Sequence, residues 1–235
     1  MLVGVGIDRG LTRVAPLVPR GAPGAEREAV LAVVNGVLGE HLSETGNPLA
    51  IQMQLRQDGH PLAPERRALR ALRPKAGRKL LVLVHGSCLN DRSWSRMGHD
   101  HGAALARDLG YTPLYLLYNS GLHISSNGRA FATLLEKLVA GWPVPLERLV
   151  ILGHSMCGLV ARSACHHGEV AGHHWRAKLD AMVCLGSPQG ALLERSGSWL
   201  ELLLGASPTC ASASCSTRTG WAASALRAPE ILERS

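Results

Sequence analysis

The segment from Leu146 to Arg162 leaves this chain fewer structural choices than any other part of it. Leu149-Val150-Ile151-Leu152 is a short apolar run suited to a buried strand, and Leu159-Val160-Ala161 begins a helical pattern. Between them the chain must reverse within a few residues, with Ser155 at the apex. Such a turn lifts a serine hydroxyl clear of a sheet and aims the first helical N–H groups at any oxyanion that forms there. Ser155 is therefore the candidate nucleophile, and a purely structural turn serine is the competing reading. Gly153 and Ser155 meet the pattern G-x-S-x-G, but its last position holds Cys157, and Gly158 follows one place late.

With 235 residues the chain is long enough for one domain with a large core and a small extension. No apolar run approaches the roughly 18–20 residues that a bilayer span needs. Met1 to Arg9 has no basic stretch ahead of an apolar core, so it does not read as a signal peptide, and a cytoplasmic location is expected. The formal charge of +7 comes mostly from arginine. Arg66, Arg67, Arg70 and Arg73 fall on one side of a short helix, and without stacking aromatics they read as a solvated face, not a nucleic-acid site. Cys88, Cys157, Cys165, Cys184, Cys210 and Cys215 form no C-x-x-C and no regular framework, so they are expected to be free thiols.

Val3, Ile7, Leu11 and Val14 recur at helical spacing up to Pro16 and Pro19, and Val30, Val34, Val37 and Leu38 repeat the pattern between Glu26 and Leu42. Residues 1–45 are thus expected to be a helical N-terminal extension, a pair covering an edge of the remaining domain. From Pro48 the period changes to two through Leu49, Ile51, Met53 and Leu55, and Asp58-Gly59 turns the chain into a hairpin. Lys79 to Val84, apolar in all but its first residue, reads as a strand buried on both faces, as in a parallel sheet. Next come a helix from Trp94 to Leu109, a strand from Pro113 to Tyr118, a helix from Asn127 to Ala140, the turn at Ser155 and a strand from Ala181 to Leu185. This alternation predicts an α/β core over 46–205, a doubly wound and mostly parallel sheet. Beyond Gly205 the chain turns to Ala, Ser, Thr and Cys, so 206–235 reads as an atypical, weakly structured tail with the closing strands of such a sheet missing.

The strand ending in His85-Gly86-Ser87 supplies a second site that agrees with the first. Ser87 N–H and Met156 N–H would face one oxyanion, each donor typically worth about 3–4 kcal/mol in a transition state. Val84-His85-Gly86, Gly153-His154-Ser155-Met156 and Gly186-Ser187-Pro188 together resemble the marks of lipase and esterase α/β-hydrolases. The resemblance is closest to the branch similar to the GPI inositol-deacylase and runs from Asn47 to Gly205. It implies an α/β-hydrolase fold and acyl transfer to water, with Ser155 attacking and the Ser87 and Met156 amides holding the oxyanion. His85, Gly86, Gly153, His154, Cys157 and Gly158 would shape the elbow and its facing loop. No cofactor and no metal are implied, and the partner is a small-molecule or lipid ester.

The chain departs from that family in ways that bear on activity. Relatives carry Gly at the position of Cys157, and usually Thr and then His at those of Ser187 and Gln189. An extra CH₂–SH at Cys157 is expected to strain the elbow, so that Cys157→Gly would raise stability; the alternative is that Gly158 lets the turn relax and the thiol fills a gap, so that the same change would lower it. The family's order is serine, acid, histidine, yet the histidines after Ser155 are only His166, His167, His173 and His174, all before the strand at Ala181. A helix starting at the elbow carries His166 and His167 about 16 Å away, whereas a general base works at ~3 Å. His154 adjoins the serine but, as a neighbour in a tight turn, points elsewhere. Acid and base stay unassigned, and neither Asp180 nor Glu194 is used to complete a triad.

The expected function is a serine hydrolase of carboxylic, including lipid, esters that is weakly active or inactive as this chain stands. The alternative is a non-catalytic remnant or binding protein. A third reading takes His166-His167 with His173-His174, or His99 with His101, as metal ligands.

Overall fold

The computed structural model describes residues 24–72 and 76–186. The pattern at Val3 to Val14, Arg73, Ser187 to Gln189, Glu194, Cys210, Cys215 and the 206–235 tail lie outside them. The described elements are α1 (Ala25–Glu44), β1 (Gln54–Gln57), β2 (His60–Leu62), α2 (Arg66–Ala71), β3 (Lys79–Val84), β4 (Ser95–Arg96), β5 (His99–Asp100), α3 (His101–Leu109), β6 (Thr112–Leu117), α4 (Ile124–Gly141), β7 (Arg148–His154), α5 (Cys157–Val170) and β8 (Leu179–Leu185). The main sheet runs β2-β1-β6-β3-β7-β8. Strands β6, β3, β7 and β8 are parallel, while β1 lies antiparallel on β6 and β2 antiparallel on β1. This is the doubly wound, mostly parallel α/β sheet that the sequence leads one to expect. No helix among the described residues is long and apolar enough to cross a membrane.

Strand alternation assigns the two faces. Leu80, Val82 and Val84 of β3, with Leu149 and Ile151 of β7, pack against Phe131, Leu135 and Leu138 of α4 and Val160, Ala161 and Ala164 of α5. Leu81, Leu83, Val150 and Leu152 pack on the opposite face with Trp94 and with Leu105 of α3. Since β3 and β7 are neighbours, the chain leaving β3 heads for one face and the chain leaving β7 for the other. A crevice opens at the carboxyl ends of strands where connections diverge in this way, and open α/β sheets bind ligands there.

Three elements differ from the sequence-based expectation. The alternation from Leu49 to Met53 is not a strand, because the Ile51 N–H is taken by Asn35 Oδ1 at 2.8 Å, and sheet pairing starts only at Gln54. The helix expected from Trp94 to Leu109 is three pieces. A 3₁₀ turn at Asp91–Trp94 leads to the β4–β5 hairpin, and α3 begins only at His101. Met97 and Gly98 sit at φ +53° and +80° to turn that hairpin, and Asp100 caps α3 through a 2.7 Å bond from Ala103 N–H. Arg66, Arg67 and Arg70 are exposed on α2.

The third difference is the placement of α1, which covers the loops after β3 and β6 and not a sheet edge. Its buried face is small and polar, with Ala32, Asn35, Gly36, Gly39 and Leu42, while Val30, Val33 and Val37 face outward, each 50% exposed. Small residues let the loops approach closely. Asn119 Nδ2 donates to Gly39 O at 3.0 Å, and a Cβ on Gly36 would run into Cys88. Arg56 Nη1 lies 2.9 Å from Glu28 Oε1 and 3.2 Å from Asp91 Oδ1, joining α1, β1 and the loop after β3. Burial pushes the Asp91 carboxyl up although Arg56 opposes it.

A Cβ at Gly121 would fall on the Asn35 carbonyl oxygen and within 2.9 Å of Gly36 O, and α1 backbone cannot yield cheaply. Gly121→Ala is therefore expected to lower stability by about 1–3 kcal/mol by pushing α1 off the loops. Urea unfolding of the two proteins measures this, and unchanged midpoints would refute it.

Candidate active site

The elbow forms because β7 ends at His154 and α5 begins at Cys157, leaving Ser155 and Met156 to reverse the chain. Ser155 sits at φ +57°, a left-handed conformation that costs a residue with a Cβ about 1–2 kcal/mol. Its backbone is held there by a 2.8 Å bond from Ser155 N–H to Leu185 O at the end of β8, and Gly158 N–H donates to Ser155 O at 3.3 Å. Ser155 is partly exposed, His154 is exposed, and Met156 and Gly158 are buried.

The loop after β3 presses directly on this turn. A Cβ built on Gly86 would lie 3.2 Å from Ser155 Cβ, 3.2 Å from His154 O and 3.1 Å from His154 Nδ1, so only glycine lets the two loops meet. Ser87 follows immediately. Among the described residues no backbone carbonyl accepts from Ser87 N–H or Met156 N–H.

His85 fixes the loop from beneath. Its ring is fully buried and stacks on Tyr118 with centroids 4.4 Å apart. Tyr118 N–H can only donate, so His85 Nε2 accepts it at 3.4 Å, which leaves the proton on Nδ1 to bind Gly86 O at 2.8 Å. Tyr118 OH also donates to His85 O at 3.0 Å. Burial pushes the imidazole down to about 4, against the opposing pull of the Gly86 bond, so the ring is neutral near pH 7. A neutral imidazole locked by both nitrogens orients a loop and does not shuttle protons. Cys88, at φ +56°, continues the loop with its N–H on Ser120 Oγ at 3.0 Å.

Cys157 sits against Gly153 at the elbow. It is fully buried, and its Sγ occupies the space beside Gly153 that a side chain there would need. Burial holds the thiol far above the usual range, with Cys184 adding to the effect, so it stays neutral and does not compete with Ser155. This packing favours the gap-filling alternative: Cys157→Gly should lower stability by about 1–2 kcal/mol through a void and a glycine in α5. A melting temperature that rises in the Gly variant would contradict this.

The other sequence-predicted residues lie apart from the elbow or have other work. His166 is exposed and His167 half-buried, far along α5, their rings 5.6 Å apart. His174 Nδ1 meets Glu136 Oε1 at 2.8 Å, and His123 caps α4, its Nδ1 2.8 Å from Ser125 Oγ. His99 and His101 stack edge to face at 4.8 Å. Among the described residues no group of three or more His, Cys, Asp or Glu stands together as a metal site. A groove of about 810 Å³ between the β1–β2 hairpin and α4 contains none of the elbow residues, and its Ser126 has only exposed Glu65, Arg129 and Lys137 as charged neighbours. The roles of Tyr118, Ser120 and Asn35 are ones that sequence reasoning did not find. Of these only Asn35 left a signal, as an amide inside an apolar helical run.

A family model described as PGAP1-like alpha/beta domain matches residues 129–197. No curated protein matches the chain. Among solved structures, the mature form of Bacillus licheniformis lipase BlEst2 is similar at 20% identity and a TM-score of 0.40, over 56% of this chain and 51% of that one. Its propeptide form is similar at 19% identity and a TM-score of 0.41, over 66% and 31%. The match spans about half or less of these lipase chains. Over residues 129–197 the chain is thus similar to the PGAP1-like alpha/beta domain.

Proposed function

We propose that this lipase-like chain is a serine hydrolase of carboxylic or lipid esters reduced to very weak activity, with Ser155 as its nucleophile and the Ser87 and Met156 amides as its oxyanion donors. One observation carries the reading. Ser155 is held at φ +57° between β7 and α5 with Gly86 packed against it, at the carboxyl ends of the strands where the two connections diverge. In the reaction Ser155 Oγ would attack the ester carbonyl, the carbonyl oxygen would take charge between the two amides, and the alcohol would leave before water releases the acyl group. His85 would serve as a positioning residue, holding Gly86 and hence the Ser87 amide.

A specific observation favours the second reading, a binding protein on the same scaffold: His85 is locked on Tyr118 and Gly86, His123 caps α4 and His174 meets Glu136. A fluorophosphonate probe separates the two. The hydrolase reading expects slow, stoichiometric phosphonylation at Ser155, mapped by peptide mass and absent in Ser155→Ala. Labelling spread over surface serines and tyrosines, unchanged in Ser155→Ala, would leave the binding reading.

A further inference from the structure

We propose that Cys157 and Cys184 form a dithiol site that hydrogen peroxide closes to a disulfide, tying the first turn of α5 to the carboxyl end of β8. This goes beyond the hydrolase reading and does not depend on it. In the ladder between β7 and β8, Cys184 is the partner of Gly153. Side chains paired across a parallel ladder point to the same face, about 4.8 Å apart, but Gly153 contributes none. The Cys157 sulfur, coming down from α5, fills that space. The atom facing Cys184 across the strands is therefore another residue's sulfur.

Alternation along β8 agrees. Ala181 and Val183 pack on the α3 face, whereas Met182 packs with the cluster that contains Cys157 and Cys165. Cys184, two residues beyond Met182, shares its face. A disulfide requires Cβ atoms about 3.5–4.5 Å apart; the ladder step sets Cys184 beside Gly153 and Cys157 reaches over the same glycine, so rotation of the two side chains would turn their sulfurs toward each other. All four described cysteines are free thiols in this state.

Exposure sets the order of events. Cys157 is wholly buried and Cys184 is partly exposed, so peroxide meets Cys184 first. Its sulfur attacks one peroxide oxygen and becomes a sulfenic acid, water leaves, and the sulfur is oxidised by two electrons. The Cys157 sulfur then attacks the Cys184 sulfur. The S–S bond forms, the S–O bond breaks, and the hydroxide departs with the Cys157 proton as a second water. Burial and Cys184 raise the Cys157 thiol, which keeps it from reacting with peroxide directly and makes its attack on the neighbouring sulfenic acid the slow step. The bond would lie next to Leu185, whose carbonyl holds Ser155 N–H.

The test is peptide mapping of the folded full chain after peroxide and alkylation. The expected result is that most chains carry one Cys157–Cys184 linked peptide pair, lighter by two hydrogens, which reductant reverses, while Cys88 and Cys165 are alkylated. Cys184→Ser should abolish the link, and Cys157→Ser should leave a Cys184 sulfenic acid that dimedone traps. Alkylation of both Cys157 and Cys184 after peroxide, or a Cys165–Cys184 link in their place, would overturn the proposal. If Cys157→Ser does not fold, Cys184→Ser decides alone, since its site is partly exposed. Every readout is a covalent mass, so failure here leaves the assignment of Ser155 untouched.

Discussion

Wild-type protein and Ser155→Ala are expected to hydrolyse a p-nitrophenyl ester at nearly the same rate, both close to the buffer reaction. A serine hydroxyl is a weak nucleophile until a positioned base takes its proton. Among the described residues His85, His123 and His174 have other partners, and His166 and His167 lie far along α5. In a serine protease whose triad was dismantled, loss of serine or histidine alone cost ~10⁶ in kcat, roughly 8 kcal/mol, with about 10³ over water retained by oxyanion and binding contributions. In the proposed reading the elbow keeps the second kind of contribution, while no described histidine is assigned the first. Steady-state rates at saturating ester decide the matter. Turnover at ordinary enzyme rates that vanishes in Ser155→Ala would mean that a base exists, and His123 at the start of α4 would be the first residue to replace.

Unfolding free energy is expected to fall by about 3 kcal/mol as pH drops from 6.5 to about 4, because of His85 alone. The folded imidazole is held down at about 4, while the unfolded one titrates near 6.5. Between those values the unfolded chain binds a proton that the folded chain refuses. The stabilisation is complete above 6.5, is lost as pH falls through the window, and loses nothing more below it. Glu28 acts in the same sense, but only below its ordinary 4.5: burial works against its charge, and the hydrogen bonds from Arg92 and Arg56 outweigh that and hold it down. Asp91, pushed up by burial, acts in the opposite sense above 3.8. The part of the slope that depends on His85 is isolated by replacing it. Urea titrations across it should give a slope that His85→Gln flattens, whatever that variant's stability near pH 7. Equal slopes in the two proteins would show that His85 is not the group responsible.

How much the sequence disclosed depends on where its signals are local. The apolar run of β3, the strand and turn at Ser155, and the Asp58-Gly59 hairpin are each written in adjacent residues, and each stands where it was expected. Helix α4 begins three residues earlier than its apolar pattern suggests, because His123 caps it. The misread stretches are those decided at a distance. Leu49 to Met53 alternates like a strand, yet Asn35 claims its backbone. The segment from Trp94 looks helical until Met97 and Gly98 turn it, and Asp100 then starts the helix anew. At the site, the placement of Ser155 and of His85-Gly86 was legible because it depends on neighbours in the chain. The room for Cys157 was not legible, because it depends on how α5 folds back over Gly153. The role of Tyr118 was hidden for a similar reason, since it stacks on a residue 33 positions away.

The outward-facing valines of α1 also say when that helix joins the rest of the chain. Its anchors reach far along the sequence: Glu28 to Arg92 spans 64 residues and Gly39 to Asn119 spans 80. Its inner face offers mainly glycine, alanine and asparagine, which give little reason to collapse before those loops exist. Closing loops of that length costs entropy that only the finished contacts repay. Helix α1 is thus expected to dock late, after β3, β6 and β7 have paired. A segment synthesised ahead of the whole sheet is among the last to find its place.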